Sequence, residues 1–280
     1  MSTCFDVSHD GAVAHLRFNR PDQRNTLTPA FWTELPGLIR SIDDEARARV
    51  IVISSTGPHF SAGLDLSVIE GGGMFRASTE PTEPTEPGRV RARLYQGIRT
   101  LHDTFAAIDE ARVPVLAAIQ GGCIGGAVSL AAACDLRFAT REAFFLLAEV
   151  NIAITPDVGQ LQRLPRVLPD ALVREMAYRG TRLDAVRAES VGFVNALYDD
   201  HQTLLDEVSA IAAEIAAKSP LAVWGAKRAI SYAREHTVAD GLDQIALWQA
   251  GMYHRDESLT ALTAKRDNTT PGFDDLLPST

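Results

Sequence analysis

Two carboxylates, Glu149 and Asp157, stand eight positions apart in a stretch otherwise dominated by Phe144, Phe145, Leu146, Leu147, Val150, Ile152 and Ile154. Withdrawal from water disfavours the charged form of a carboxyl group and raises its pKa toward values useful in proton transfer. Upstream, the run from Ile119 to Asp135 reads as a buried strand, a glycine turn and a helix start. The first N–H groups of a helix have no intrahelical partner and form a receptor for negative charge. A second small-residue turn, Ser61-Ala62-Gly63, is followed by the N–H of Leu64. Together the two turns offer two donors to one carbonyl oxygen. A hole of that kind beside paired carboxylates is what proton transfer next to a carbonyl requires. Each feature also has a plainer reading. The glycines could serve only tight turning and helix packing, and Asp157 could N-cap the helical run from Val158 to Leu164.

Positioning these groups requires a framework of strands and helices. Ala12 to Phe18 alternates, with Ala12, Ala14, Leu16 and Phe18 on one face, which predicts a half-buried strand. Thr28-Pro29 has the form of an N-cap followed by proline at the first helical position. Phe31, Leu35, Leu38, Ile39 and Ile42 then follow at helical spacing, with Pro36 placed to kink the helix or end its first turn. Val50 to Ser54 and Val115 to Ile119 predict short buried strands, with a helix over about Arg89 to Asp109 between them. Strands alternating with helices imply an α/β core. Beyond Asp157 the pattern is helical over Pro169 to Tyr178, Asp184 to Ser190, His201 to Lys218, Pro220 to His236, Val238 to Tyr253 and Asp256 to Lys265. The sole strand expected there lies near Phe193 to Ala196. This divides the chain into a core over residues 1–200 and a helical extension over 201–280. Gly71 to Gly88, with its Thr-Glu-Pro repeats, is acidic and proline-rich, and reads as a mobile loop or a flap following the Ser61 turn.

The 280 residues are 46% hydrophobic, enough for a large core. A net charge of −9 argues against general nucleic-acid binding, which calls for a basic face. The apolar stretch from Val113 to Cys134 is broken by Pro114, Gln120, glycines and Ser129, so a strand-turn-helix fits it better than a membrane span. The start, Met1 to Asp6, lacks the basic and apolar segments of a signal peptide, and Leu277 to Thr280 lacks a Ser-Lys-Leu ending. Cys4, Cys123 and Cys134 show neither metal spacing nor a CxxC pair and read as reduced, which suits the cytoplasm. Gly121 to Gly126 fits neither GxGxxG nor a P-loop. No GxSxG is present, and His15, His59, His102, His201, His236 and His254 are scattered without a catalytic or metal-binding cluster.

These segments resemble the enoyl-CoA hydratase/isomerase (crotonase) superfamily, from Asn19-Arg-Pro-Asp-Gln-Arg-Asn25 to Lys265-Arg266. The most specific pieces are Phe60 to Asp65, Gly121 to Asp135, and Gln162 to Pro165. The resemblance implies a spiral of ββα units with a helical C-terminal extension serving trimerisation or covering the site. It implies a homotrimer or a hexamer built as a dimer of trimers. Coenzyme A would be part of the substrate, with no separate cofactor and no metal. A thioester carbonyl would sit between the N–H groups of Leu64 and Gly126. Ala62, Gly63, Asp65, Leu66, Gly122 and Ser129 would contribute to binding of the coenzyme A substrate, with Arg24 near its phosphates.

Hydratases of this superfamily carry one glutamate in the helix after the glycine turn and another about twenty residues on. Here Ser129 occupies the first place and Glu149 the second. The run from Glu149 to Pro165 is similar to Δ3,5-Δ2,4-dienoyl-CoA isomerases, where an aspartate at the place of Asp157 and the retained glutamate shuttle a proton. The aspartate usual in those isomerases at position 129 is also replaced by serine. The resemblance thus implies a dienoyl-CoA isomerase of fatty-acid β-oxidation with Asp157 and Glu149 as catalytic residues. The alternatives are a 2-enoyl-CoA hydratase relying on Glu149 alone and a non-catalytic acyl-CoA binder.

Overall fold

The computed structural model describes residues 2–70 and 86–279. Of the segment Gly71 to Gly88 read above as loop or flap, residues 71–85 lie outside the described residues, while Pro87 and Gly88 begin a helix capped by the Glu86 side chain. A six-stranded sheet is formed by β1 (Phe5–Asp10), β2 (Val13–Phe18), β3 (Val50–Ser55), β4 (Val115–Ile119), β6 (Leu136–Thr140) and β9 (Ala196–Tyr198), in that order. β1 and β2 pair antiparallel, and every later pair is parallel. A second sheet has the order β5 (Gly122–Ile124), β7 (Phe144–Leu146), β8 (Arg182–Asp184). From β4 the chain crosses to β5, returns through helix α4 (Gly126–Ala133) to β6, and crosses again to β7. The β4–β5 and β6–β7 turns thus each lay one strand in each sheet, in the expected ββα winding.

The hydropathy patterns follow from this winding. All six residues of β3 and all five of β4 are buried, because helices cover both faces of the parallel sheet. On one face, Leu16, Ile51, Ile53 and Ala117 pack with helix α1 (Phe31–Asp44) and helix α3 (Pro87–Glu110). On the other, Val13, Val50, Val52 and Leu116 pack against Leu204, Val208 and Ala212 of helix α8 (His201–Ala216). The expected boundary at residue 200 therefore falls between a sheet and the helix that covers it.

Helix α1 departs from expectation at two points. It starts at Phe31, and Thr28 provides its carbonyl to the Phe31 N–H rather than capping with its hydroxyl, which lies 3.5 Å from Cys4 Sγ. Pro36 neither ends the helix nor leaves a buried group unpaired. It cannot donate to the Trp32 carbonyl, and Thr104 Oγ1 of the neighbouring α3 donates there instead at 3.0 Å. The short elements β5, β7 and β8 are additional to the expected strands. The strand expected near Phe193 to Ala196 lies at Ala196–Tyr198, with Phe193 and Val194 buried in the main core just before it. After α8 come α9 (Pro220–Ala233), α10 (Val238–Met252) and α11 (Arg255–Asp267). Among the described residues no helix is long and apolar enough to cross a membrane.

Candidate active site

The turn after β3 and the turn after β5 meet edge to edge. Ser61 donates its N–H to the Gly122 carbonyl, and the Ile124 N–H donates to the Ser61 carbonyl. Two glycines make the approach possible. Gly63 has φ +80, and a Cβ there would lie 2.6 Å from the Ile124 carbonyl oxygen. Gly125 has φ +57, and a Cβ there would lie 3.2 Å from Glu149 Oε1. Such backbone conformations and contacts favour glycine.

The Leu64 N–H, one residue after Gly63, and the Gly126 N–H, at the first position of α4, donate to no protein group among the described residues. Both residues line one cavity of about 180 Å³, together with Trp32, Leu66, Ile124, Glu149, Asp157 and Val158. Gly126 is buried and Leu64 half-buried; backbone N–H groups withdrawn from water are rarely left unpaired, so two free ones in one cavity mark a place for an acceptor. The cavity wall is otherwise largely apolar, and an electrostatic interaction gains strength in such surroundings.

The two carboxylates enter the cavity from one loop. Glu149 begins a short 3-10 turn, Glu149–Ile152, and its Oε1 accepts from Gln160 Nε2 at 2.7 Å, while Oε2 is buried without a partner among the described residues. Burial raises its pKa, and the nearby Asp157 charge raises it further. The pKa of Asp157 is also raised, chiefly by burial, with a smaller opposing effect of His102. Asp157 does not N-cap the following helix. Gly159 holds that position, with no side-chain cap, and α5 runs over Gln160–Arg163. The Asp157 turn is instead fixed by its carbonyls: the Asp157 carbonyl lies 2.7 Å from His102 Nε2, which donates, and the Val158 carbonyl accepts from Ser129 Oγ at 2.5 Å.

Several residues expected to bind substrate have other places. Ser129 is fully buried, does not line the cavity, and commits its hydroxyl to Val158. Gly122 is a strand residue whose N–H donates to His59 Nδ1 at 3.0 Å, behind the cavity. The Asp65 carboxylate accepts from the Ser67 hydroxyl and N–H and from Thr26, which lowers its pKa despite partial burial. Its side chain thereby fastens the start of α2 (Leu66–Glu70). Ala62, Gly63 and Leu66 do line the cavity. Arg24 is exposed, and its carbonyl accepts from the Ala62 N–H at 2.9 Å, which puts it beside the turn rather than in the cavity. Gln160 was not among the expected residues. Glutamine at a helix start carries no signal by itself, and its contact with Glu149 spans eleven positions.

Among the described residues no group of three His, Cys, Asp or Glu side chains is arranged to hold a metal ion. All three cysteines are free and buried, and burial pushes the Cys134 thiol up to about 12.

Comparison with known proteins agrees with this architecture. Residues 8–272 match the enoyl-CoA hydratase/isomerase family model. The chain is 36% identical to the peroxisomal Δ3,5-Δ2,4-dienoyl-CoA isomerase of Arabidopsis thaliana, covering 94% of this chain and 93% of the relative. It is 37% identical to the mitochondrial Δ3,5-Δ2,4-dienoyl-CoA isomerase of Mus musculus, covering 94% and 80%. Among solved structures, the enoyl-CoA hydratase of Bacillus anthracis superposes with a TM-score of 0.82 at 28% identity, covering 99% of this chain and 100% of that one. The spiral winding of ββα units, the paired glycine turns and the match over nearly the whole length place this chain in the enoyl-CoA hydratase/isomerase family, with the crotonase fold.

Proposed function

We propose that the protein is a dienoyl-CoA isomerase that converts 3,5-dienoyl-CoA to 2,4-dienoyl-CoA, as the names of the Arabidopsis and mouse relatives describe for those proteins. The observation that carries this reading is the presence of Glu149 and Asp157 in one largely apolar cavity with the free N–H groups of Leu64 and Gly126. In the reaction Asp157 takes a proton from C2. The electron pair spreads over a dienolate whose oxygen accepts from Leu64 and Gly126, each donor contributing on the order of 3–4 kcal/mol. Glu149 delivers a proton to C6, and the double bonds move to C2 and C4. In this reading Asp157 is assigned as the base and Glu149 as the acid; burial raises the pKa of both carboxyls, and the Asp157 charge adds to the rise at Glu149.

Ser129 supports isomerisation over hydration. Its hydroxyl is committed to Val158 and lies away from the cavity, so it supplies no second group to hold water beside Glu149. The test is turnover of a 3,5-dienoyl-CoA by the native protein and by Asp157→Asn, with crotonyl-CoA as the comparison substrate. Conversion by the native protein and its loss in the variant are expected. Full activity in Asp157→Asn, or hydration of crotonyl-CoA at ordinary enzyme rates, would sink the assignment. Binding of acyl-CoA with no turnover of either substrate would point to a silent binder.

The remaining roles are part of the same reading. Ala62, Gly63 and Leu66 line the entry for coenzyme A, Asp65 holds that turn in shape, and the exposed Arg24 is available to the phosphates. Coenzyme A arrives as part of the substrate and no separate cofactor is needed. Assembly as a trimer, or a dimer of trimers, is supported by α10, which has no buried residue and exposes Leu242 and Leu247. A cytoplasmic location rests on the reduced cysteines alone, while the names of the relatives place those proteins in peroxisomes and mitochondria.

A further inference from the structure

Gln160 opens α5 three residues after Asp157 and is fully buried. Its Nε2 donates to Glu149 Oε1 at 2.7 Å, and its own Oε1 has no partner among the described residues. On the carboxyl it touches, one oxygen is thus bonded to an amide donor while the other, Oε2, is buried and unpartnered. An amide N–H bonds well to a carboxylate oxygen or to the C=O of a protonated carboxyl, and poorly to the oxygen bearing the proton.

We propose that Gln160 is a positioning residue that assigns the mobile proton of Glu149 to Oε2 and stabilises the carboxylate left when that proton departs. This rests on the isomerase reading given above. In that reaction the C2–H bond breaks as Asp157 gains a proton, and the Oε2–H bond of Glu149 breaks as C6–H forms. The total charge of the pair is unchanged, and the negative charge passes from Asp157 to Glu149. The Gln160 N–H is aimed at the place where charge appears, and its bond changes from neutral to charge-assisted during the reaction. An interaction that strengthens in this way raises kcat more than it lowers KM.

The same turn ties the two carboxyls together. Asp157 and Gln160 lie on one short segment whose Asp157 and Val158 carbonyls are held by His102 and Ser129. The base is therefore carried on the segment that orients the acid, and their separation is set by one locally anchored piece of chain. The cleft on the other side of this segment also carries Arg99, His102, Asp103, Arg163 and Arg166, and Arg163 is paired with Asp109.

The experiment uses the full-length chain with Gln160→Met, which keeps length and removes the donor, and Gln160→Glu, which donates only while protonated. Kinetics with 3,5-dienoyl-CoA across pH are combined with infrared difference spectra of the Glu149 carboxyl band, identified by its loss in Glu149→Gln. For Gln160→Met, kcat should fall about 10–100-fold with KM within about threefold, given the usual size of a positioned proton-transfer contribution. The alkaline limb of the kcat profile should move to higher pH, and the carboxyl band should move to higher frequency. For Gln160→Glu, activity should fall as pH rises through the ionisation of the introduced carboxyl. An unmoved band and alkaline limb in Gln160→Met, or kcat and KM worsening together with an unmoved band, would overturn the assignment. If Gln160→Met does not fold, the pH response of Gln160→Glu decides, and a response parallel to the native profile overturns it. Because the band shift needs no substrate, a native protein inactive on dienoyl-CoA would sink the isomerase reading while the spectra still decide the place of the proton.

Discussion

Two regions of this molecule bind a glutamate carboxylate in opposite ways. Glu34, in the first turn of α1, is surrounded by donors. It accepts from the Ser2 hydroxyl at 2.5 Å, the Thr3 hydroxyl at 2.7 Å, and the N–H groups of Thr3 and Cys4 at 3.0 Å. Burial acts to raise its pKa, but these bonds outweigh it and bring it down to about 2. Glu149 receives one side-chain donor, leaves an oxygen unpaired, and has its pKa raised by burial and by Asp157. The first carboxylate fastens the N-terminal strand to α1. The second has one side-chain donor, and burial holds its pKa above the usual carboxylate range. The number of donors that reach a carboxyl, more than its burial alone, separates a structural role from a chemical one here.

The comparison can be broken most severely at Asp157. Asp157→Asn should lower isomerisation by about 10²–10⁴-fold, read as kcat with a dienoyl-CoA, because a positioned base is lost. A much smaller loss would mean that the pair does not act as a pair. Next comes Ser129→Ala, which strands the buried Val158 carbonyl. A cost of about 1–3 kcal/mol in unfolding free energy is expected, together with a lower kcat as the Asp157 turn loosens. Denaturant titration beside kinetics checks both effects.

Glu34→Gln should cost about 1–2 kcal/mol, since charge-assisted bonds are weakened at a site partly open to solvent. Activity should stay within about twofold of native. The pH dependence sharpens the contrast. The stabilisation from Glu34 is present above its unfolded pKa near 4.5 and is lost as pH falls through about 2. Glu149 and Asp157 work in the other direction. Their raised pKa values mean that the folded state holds protons more tightly than the unfolded state, so their contribution is lost as pH rises through the folded values. The smallest expected effect follows from this. Glu149→Gln should gain about 0.5–1 kcal/mol at neutral pH while losing activity, as is common when a functional group is removed from a costly setting. A melting temperature at or below the native value would contradict it.

Much of this was legible in the chain itself, for identifiable reasons. The long parallel strands announce themselves because burial on both faces makes Val50 to Ile53 and Val115 to Ile119 continuous apolar runs. Glu149 and Asp157 stand out because a carboxylate among aliphatic and aromatic neighbours is conspicuous. The three-residue strands β5, β7 and β8 could not be read, as three residues hold no usable periodicity. Thr28-Pro29 has capping chemistry, but the helix begins two residues later because Phe31 and Trp32 anchor it in the core. Ser129 and Gln160 were opaque for a different reason. Their partners, Val158 and Glu149, lie 29 and 11 positions away, and a small polar residue in an apolar helix does not declare which carbonyl it will meet.

The C-terminal helices are attached to the rest by more than apolar contact. Lys227 of α9 is only 9% exposed, and its amine donates to the Ile108 carbonyl at 2.9 Å and the Val113 carbonyl at 3.0 Å while pairing with Asp135 at 2.9 Å. Those partners sit on α3, just before β4 and just after α4. Peeling α9 away would leave two carbonyls and a carboxylate without their cation, a penalty incurred at once rather than gradually. The chain from β4 to α9 should therefore open as a single unit in native-state hydrogen exchange, with amides of α9 and the central strands sharing one opening free energy. A latch so placed makes the integrity of the reaction chamber report on the docking of helices that do not line it.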